Sequence, residues 1–178
     1  MIKVVGIGGM PLTGKSTLLS CVVDKLGESA LFNHGPIQGK VFPQSRAVVV
    51  GREYGRSISS DQLRHTYESV TEFIGLAKET GAYQGYTMLF EGDRLFTTKF
   101  YCWCKYAGIR RSFYMLSSKP GLAEARDPKR FATYSAEYLR LKRVKYLGIC
   151  RSGGFRALLN DDRHDLRKNV DIILSELF

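Results

Sequence analysis

The chain has 178 residues, 44% hydrophobic and 25% charged, which fits one globular domain and excludes a low-complexity or disordered chain. No apolar run approaches the roughly 18–20 residues that span a bilayer, and the apolar start is too short and too broken by Lys3 and glycines to be a signal peptide, so a cytoplasmic setting is expected. The net charge of +10 is one-sided: residues 94–156 hold 15 Lys and Arg against 3 Asp and Glu, which suits a polyanionic partner or many phosphates, the plain alternative being a solubilising surface.

In chain order, Ile2–Gly8 reads as a short buried strand. Leu18, Leu19, Val22, Val23 and Leu26 recur at helical spacing, and Gly27 stops that helix. Asn33–Pro43, with its glycines and prolines, reads as a loop or irregular hairpin. Ala47–Val50 is a second strand ending at Gly51. Ser59 starts a helix, with Gln62 completing a capping box, and Leu63, Tyr67, Val70, Ile74 and Ala77 form its inner face up to Gly81. "YTMLFEGDR" is a third strand with acids at its end. A helix over about 95–107, a fourth strand over Ser112–Ser117, a basic and less regular stretch over 118–152 and a fifth strand over Phe155–Asn160 follow. The last helix carries Leu166, Val170, Ile173, Leu174 and Leu177 on one side. Cys21, Cys102, Cys104 and Cys150 have neither zinc nor disulfide-framework spacing and read as reduced thiols.

Strands alternating with helices predict a single α/β domain over 1–178: three layers around a mostly parallel five-stranded sheet, with 118–152 as a candidate lid. Ligands collect at the carboxyl ends of parallel strands. That rule puts the loop after the first strand, the Gly51 turn, the acids of "EGDR" and Asn160 on one rim.

The first loop is "GMPLTGKS", Gly9–Ser16. It matches Gly-x4-Gly-Lys-Ser, between a strand and a helix. Glycines let backbone N–H groups converge on phosphate oxygens, and the following helix adds its positive end. The stretch resembles the P-loop nucleoside triphosphatases. That resemblance implies ATP and Mg²⁺, with Lys15 on the β- and γ-phosphates, Ser16 on the metal, and Gly9, Thr13, Gly14 and Thr17 completing the nucleotide site. The Asn-Lys-x-Asp guanine motif of GTP-binding switches is absent; "KNVD" has the wrong order. Size, acid cluster and late arginines are similar to the small P-loop kinases.

Phosphoryl transfer needs a metal against the phosphates and a carboxylate near the attacking hydroxyl. Glu91 and Asp93 at a strand tip can serve both ends, with Asp93 favoured for the metal. Asp61 is a second candidate base, or a helix-capping acid, and His65 stands one turn later. Arg94 and Arg52 are candidate ligands of the acceptor, and Arg94 can instead pair with Asp93. Arg126 and Arg130, four apart in "ARDPKR", suit a lid that closes on the phosphates, although Pro128 between them argues for a turn or helix start. Arg140, Lys142, Arg143 and Lys145 continue the basic run. Asn160 and Asp161 can contact the donor's base or cap the last helix.

"TTKFYCWCKYAGIRRSFY" interleaves aromatic and basic residues, which fits either core packing or a surface for an extruded base. "VVVG", then Asp61-Gln62-Leu63, then "LFEGDRLF" resemble a group of bacteriophage P-loop kinases, some of which phosphorylate 5-hydroxymethyluracil in DNA. Gln62 departs from that pattern, where arginine is expected. The resemblance implies a DNA partner on the basic segment 94–156 and transfer from ATP to a base hydroxymethyl group. A nucleoside or nucleoside-monophosphate kinase, and a nucleic-acid-binding NTPase without group transfer, are the alternatives.

Overall fold

In the computed structural model, which describes residues 2–35, 37–54, 57–63, 66–151 and 154–178, the first apolar run forms β1 (Lys3–Gly9), and the glycine loop leads into α1 (Lys15–Val23). β1 lies between β7 (Thr87–Glu91) and β8 (Arg110–Ser117), parallel to both. β4 (Ala47–Val50) pairs with β7 and β9 (Phe155–Leu159) with β8, again in parallel. These are the five parallel strands expected from the sequence.

The sheet nevertheless has seven strands and is mixed, not five-stranded. β2 (Ala30–His34) and β3 (Ile37–Phe42) add an antiparallel hairpin beyond β4, giving the order β2-β3-β4-β7-β1-β8-β9. Gly39 explains why this stretch reads as a loop. A Cβ there would lie 2.0 Å from the Val49 carbonyl oxygen, so the glycine serves close strand packing instead of a chain break. β5 (Arg52–Tyr54) and β6 (Ser57–Ser59) form a separate two-stranded ribbon.

Side chains alternate between two buried faces, as a parallel sheet covered on both sides requires. Val48, Val50, Met88, Phe90, Val4 and Phe113 pack with α2 (Thr66–Thr80), α3 (Thr98–Tyr106) and α6 (Ala136–Arg151). Ala47, Val49, Leu89, Val5, Ile7, Tyr114 and Leu116 pack with α1 and α7 (Arg163–Ser175). The result is a three-layer α/β fold. Among the described residues no helix is long and apolar enough to cross a membrane.

Two local expectations change, and the one drawn from Pro128 holds. Ser59 caps a single 3-10 turn, Ser60–Gln62, through a bond from the Asp61 N–H at 3.3 Å, and α2 begins only at Thr66. His65 lies outside the described residues. The 118–152 stretch is largely regular: α4 (Leu122–Arg126), α5 (Pro128–Phe131) and the 16-residue α6. Only Tyr146 and Ile149 of α6 are buried, so its basic residues dilute the apolar period. Arg126 and Arg130 fall on two short helices, because Pro128 takes the first position of α5 and the Asp127 carboxylate accepts the Arg130 N–H at 3.0 Å.

The aromatic stretch after "EGDR" belongs mainly to the core. Phe100, Phe113 and Tyr114 are fully buried. Trp103 stacks on Phe100 with centroids 5.9 Å apart, and Tyr101 packs on Phe113 and Phe155. Tyr106 alone among them is strongly exposed.

Candidate active site

The turn from β1 to α1 depends on Gly14, which caps α1 at φ 89°. A Cβ there would also lie 2.4 Å from the Asn160 amide nitrogen. Asn160, buried at the end of β9, donates that amide to the Thr13 carbonyl at 2.7 Å, so the fifth parallel strand braces the loop. Thr13, also buried, ties its hydroxyl to the Met10 carbonyl at 2.9 Å. Lys15 folds over the loop, and its ammonium donates to the Gly9 and Met10 carbonyls at 3.0 Å each. Burial lowers its pKa, while Glu91, Asp93 and Asp61 pull the other way. Ser16 and Thr17 open to the cavity at the start of α1.

The cavity, about 780 Å³, brings together Gly14, Lys15, Ser16, Thr17, Asp61, Glu91, Asp93, Arg126 and Arg130. Glu91 closes β7 and is only 3% exposed. Its Oε2 is buried without a hydrogen-bond partner. Burial pushes its pKa up to about 7; Lys15 opposes that shift, and the nearby Asp61 carboxylate adds to it. Ser59, which lines the same cavity, bonds to the Glu91 side chain.

Asp61 reaches this group because Gly92 lies between them. Gly92 has φ 130°, and a Cβ on it would come within 2.7 Å of the Asp61 carboxylate. The Arg94 N–H donates to that carboxylate at 2.9 Å. Ser60 fixes the same turn by donating its hydroxyl to the Glu91 carbonyl at 2.8 Å.

Asp93 is arranged differently. One carboxylate oxygen takes the Lys142 ammonium and the other the Tyr146 hydroxyl, while its carbonyl accepts from Lys145 at 2.8 Å. Burial alone would raise its pKa, but these donors outweigh it and hold the group below its ordinary value. Lys142, Lys145 and Tyr146 were not expected at the site. For Lys142 and Tyr146 the signal in the sequence is the four-residue spacing Arg130, Tyr134, Tyr138, Lys142, Tyr146; Lys145 lies outside it.

From α4, Arg126 bonds to the Leu12 carbonyl at 3.3 Å and to the Asn160 and Asp161 carbonyls. It thus bridges the glycine loop and the end of β9. Arg130 bonds through Nε to the Tyr134 hydroxyl at 3.2 Å. Two candidates stand apart. The Arg94 guanidinium turns to the Leu63 carbonyl instead of pairing with Asp93. Arg52 donates to the Gln38 side chain at 2.9 Å, in a shallow depression beside β2 and β3.

The donor set fits a nucleoside triphosphate with Mg²⁺. A phosphate-loop turn, a lysine bonded to loop carbonyls, a hydroxyl at the helix start and an orphaned buried carboxylate oxygen share one cavity.

No protein-family model matches the chain, and no curated protein matches it. Among solved structures, a gluconokinase from Sinorhizobium meliloti 1021 aligns over 98% of this chain and 95% of its own, at 10% identity and a TM-score of 0.49, a likeness too distant to carry an argument. The class rests on the molecule itself: a three-layer α/β protein with a phosphate-loop sequence at the carboxyl ends of its parallel strands.

Proposed function

We propose that the chain is a P-loop phosphotransferase that moves the γ-phosphate of ATP to an alcohol hydroxyl. The observation that carries this is Glu91: a buried carboxylate with a free oxygen and a pKa near neutrality, in the same cavity as Lys15 and Ser16. A base poised near the working pH is what proton abstraction from a hydroxyl needs.

Gly14, Thr13 and Lys15 hold the phosphate chain, and Ser16 is placed to ligate the metal. Bound Mg²⁺ would neutralise charge on the β- and γ-oxygens. Glu91 accepts the proton of the acceptor hydroxyl. The acceptor oxygen forms a bond to the γ-phosphorus as the bond from that phosphorus to the β-phosphate oxygen breaks, and ADP departs. Burial keeps the Glu91 proton affinity high, and Asp61, held by the Arg94 N–H in the lining of the same cavity, adds to it. Arg126 and Arg130 supply positive charge from the lid side.

The finer reading takes the acceptor as the hydroxymethyl group of 5-hydroxymethyluracil in DNA, with the basic segment 94–156 meeting backbone phosphates. It rests on "VVVG" and "LFEGDRLF" and on that charge excess. The aromatics of "TTKFYCWCKYAGIRRSFY" do not support it, since most are committed to the core. The test is incubation with γ-labelled ATP and Mg²⁺ against free nucleosides, nucleoside monophosphates and DNA containing 5-hydroxymethyluracil. Label entering any of them supports phosphotransfer, and label in the DNA alone supports the finer reading. Free phosphate as the only labelled product in all three would overturn both.

A further inference from the structure

Arg130, Tyr134, Tyr138, Lys142 and Tyr146 follow one another at every fourth position from α5 into α6. The first four touch in series. Arg130 bonds to the Tyr134 hydroxyl, Tyr134 and Tyr138 stack with centroids 5.3 Å apart and planes 13° off parallel, and the Lys142 ammonium lies 5.2 Å from the Tyr138 centroid. Lys142 and Tyr146 both end on Asp93. Arg130, Tyr134, Tyr138 and Asp93 line the phosphate cavity, so the row follows its wall as far as Tyr138, and Lys142 meets that wall through its bond to Asp93.

Both Asp93 oxygens are committed, one to a cation and one to a phenol. Each oxygen keeps one further acceptor site, and Asp93 still lines the cavity. Lys15 feels Glu91, Asp93 and Asp61, and Lys145 feels Asp93 and Asp61, so this corner holds cations and carboxylates side by side. The terminal phosphate of a nucleoside triphosphate brings further negative charge into this corner, and the ammonium bound to Asp93 is a cation that can turn to it.

We propose that Lys142 is a phosphate-contacting residue of the transfer reaction, held on Asp93 until the terminal phosphate arrives, and that Asp93 is the positioning residue that holds it. The proposal rests on the phosphotransferase reading. Lysine suits the exchange, since its compact ammonium sits on a flexible stem and trades one charge-assisted bond for another. Tyr146 and Lys145 keep α6 anchored on the "EGDR" turn while Lys142 moves. The same movement brings a cation to the phosphate and uncovers one Asp93 oxygen.

The test is calorimetric binding of ATP and of ADP without magnesium, in wild type, Lys142→Met, Asp93→Asn and the double variant. Loss of one charge-assisted contact in Lys142→Met weakens ATP binding roughly tenfold or more and leaves ADP within about twofold. Asp93→Asn, which releases the ammonium, tightens ATP several-fold. The double variant leaves no unpaired buried charge, so it keeps the fold if Lys142→Met alone does not, and it loses the preference for ATP over ADP. A wild-type ATP-to-ADP ratio in the double variant overturns the phosphate contact. Unchanged or weaker ATP binding in Asp93→Asn overturns the exchange. Lys15→Ala separates the two levels: if ATP binding ignores Lys15, the phosphotransferase reading falls and this inference with it. If it needs Lys15 but not Lys142, only this inference falls.

Discussion

Two glutamates mark opposite ends of the sheet. Glu91 closes β7 at the carboxyl rim, buried, with one oxygen unpaired and its pKa raised by that burial to about 7. Glu176, just past α7, sits against the starts of β1 and β8. There Lys3 and Ser112 bond one oxygen, and Tyr114 and Arg156 reach the other. Burial would raise the Glu176 pKa too, but the bonds from Lys3, Tyr114 and Ser112 outweigh it and hold it below its ordinary value. A partly buried carboxylate with every oxygen answered is a clamp. One left open beside a phosphate loop is available for chemistry.

The largest expected effect tests whether the open end is a phosphate site at all. Lys15→Ala brings transfer of labelled γ-phosphate to background, with the far-ultraviolet circular dichroism spectrum unchanged, because among the described residues the Lys15 ammonium bonds to loop carbonyls and to no helix or strand partner beyond Gly9 at the end of β1. Turnover near wild type would leave Glu91 facing no substrate and dissolve the contrast.

Glu91→Gln comes next, with kcat lower by about 10²- to 10⁴-fold. Wild-type kcat climbs as pH rises through about 7, because only the ionised carboxylate accepts a proton. The variant loses that rise. Stability moves the other way. The folded pKa lies above the ordinary 4.5, so the folded state binds more protons than the unfolded chain in between, and stability falls as pH rises from about 4.5 to about 7. Glu91→Gln therefore melts higher than wild type above pH 7, which thermal scans at pH 5 and pH 8 would show. Equal melting at both pH values would mean that Glu91 is not strained by its burial.

Glu176→Gln should invert this pattern. It costs roughly 1–3 kcal/mol of stability, the usual range for bonds to a charged group, and leaves kcat unchanged. The Glu176 pKa is lowered in the fold, so its contribution is present above about pH 4.5 and fades as pH falls through the lowered value. Urea unfolding at pH 7 and pH 3 measures it. A loss of kcat without a loss of stability would erase the distinction between clamp and tool.

Much of this was legible in the sequence where a local rule decides. Continuous apolar runs ending in glycine marked β1, β4 and β7, and the loop motif together with the strand-end acids marked the cavity. Features set by distant contacts were not legible. The β2–β3 hairpin depends on Gly39 meeting the Val49 backbone, a demand that looks like a chain break when read along the chain. Lys142 and Tyr146 arrive at Asp93 from about fifty residues downstream, and nothing near "EGDR" in the sequence announces them. The same distance hid the bracing of the loop by Asn160 and Arg126, which meet carbonyls more than a hundred residues earlier.

The smallest expected effect concerns Arg52, a basic residue at the Gly51 turn. Its guanidinium bonds to Gln38 over the added hairpin, in a depression lined by Leu31, Asn33 and Ile58 and separate from the cavity of Lys15 and Glu91. Arg52 is not in the lining of the cavity and is already paired with Gln38. Arg52→Ala therefore changes KM for a free nucleoside by less than about twofold, with melting within about a degree, as for most exposed surface side chains. A DNA strand is long enough to continue past Gly51. Its backbone phosphates would then meet Arg52, and KM would rise for the DNA substrate alone, more steeply at low salt than at high. A rise with both substrates would bring Arg52 into the acceptor pocket proper and make the hairpin β2–β3 part of its wall.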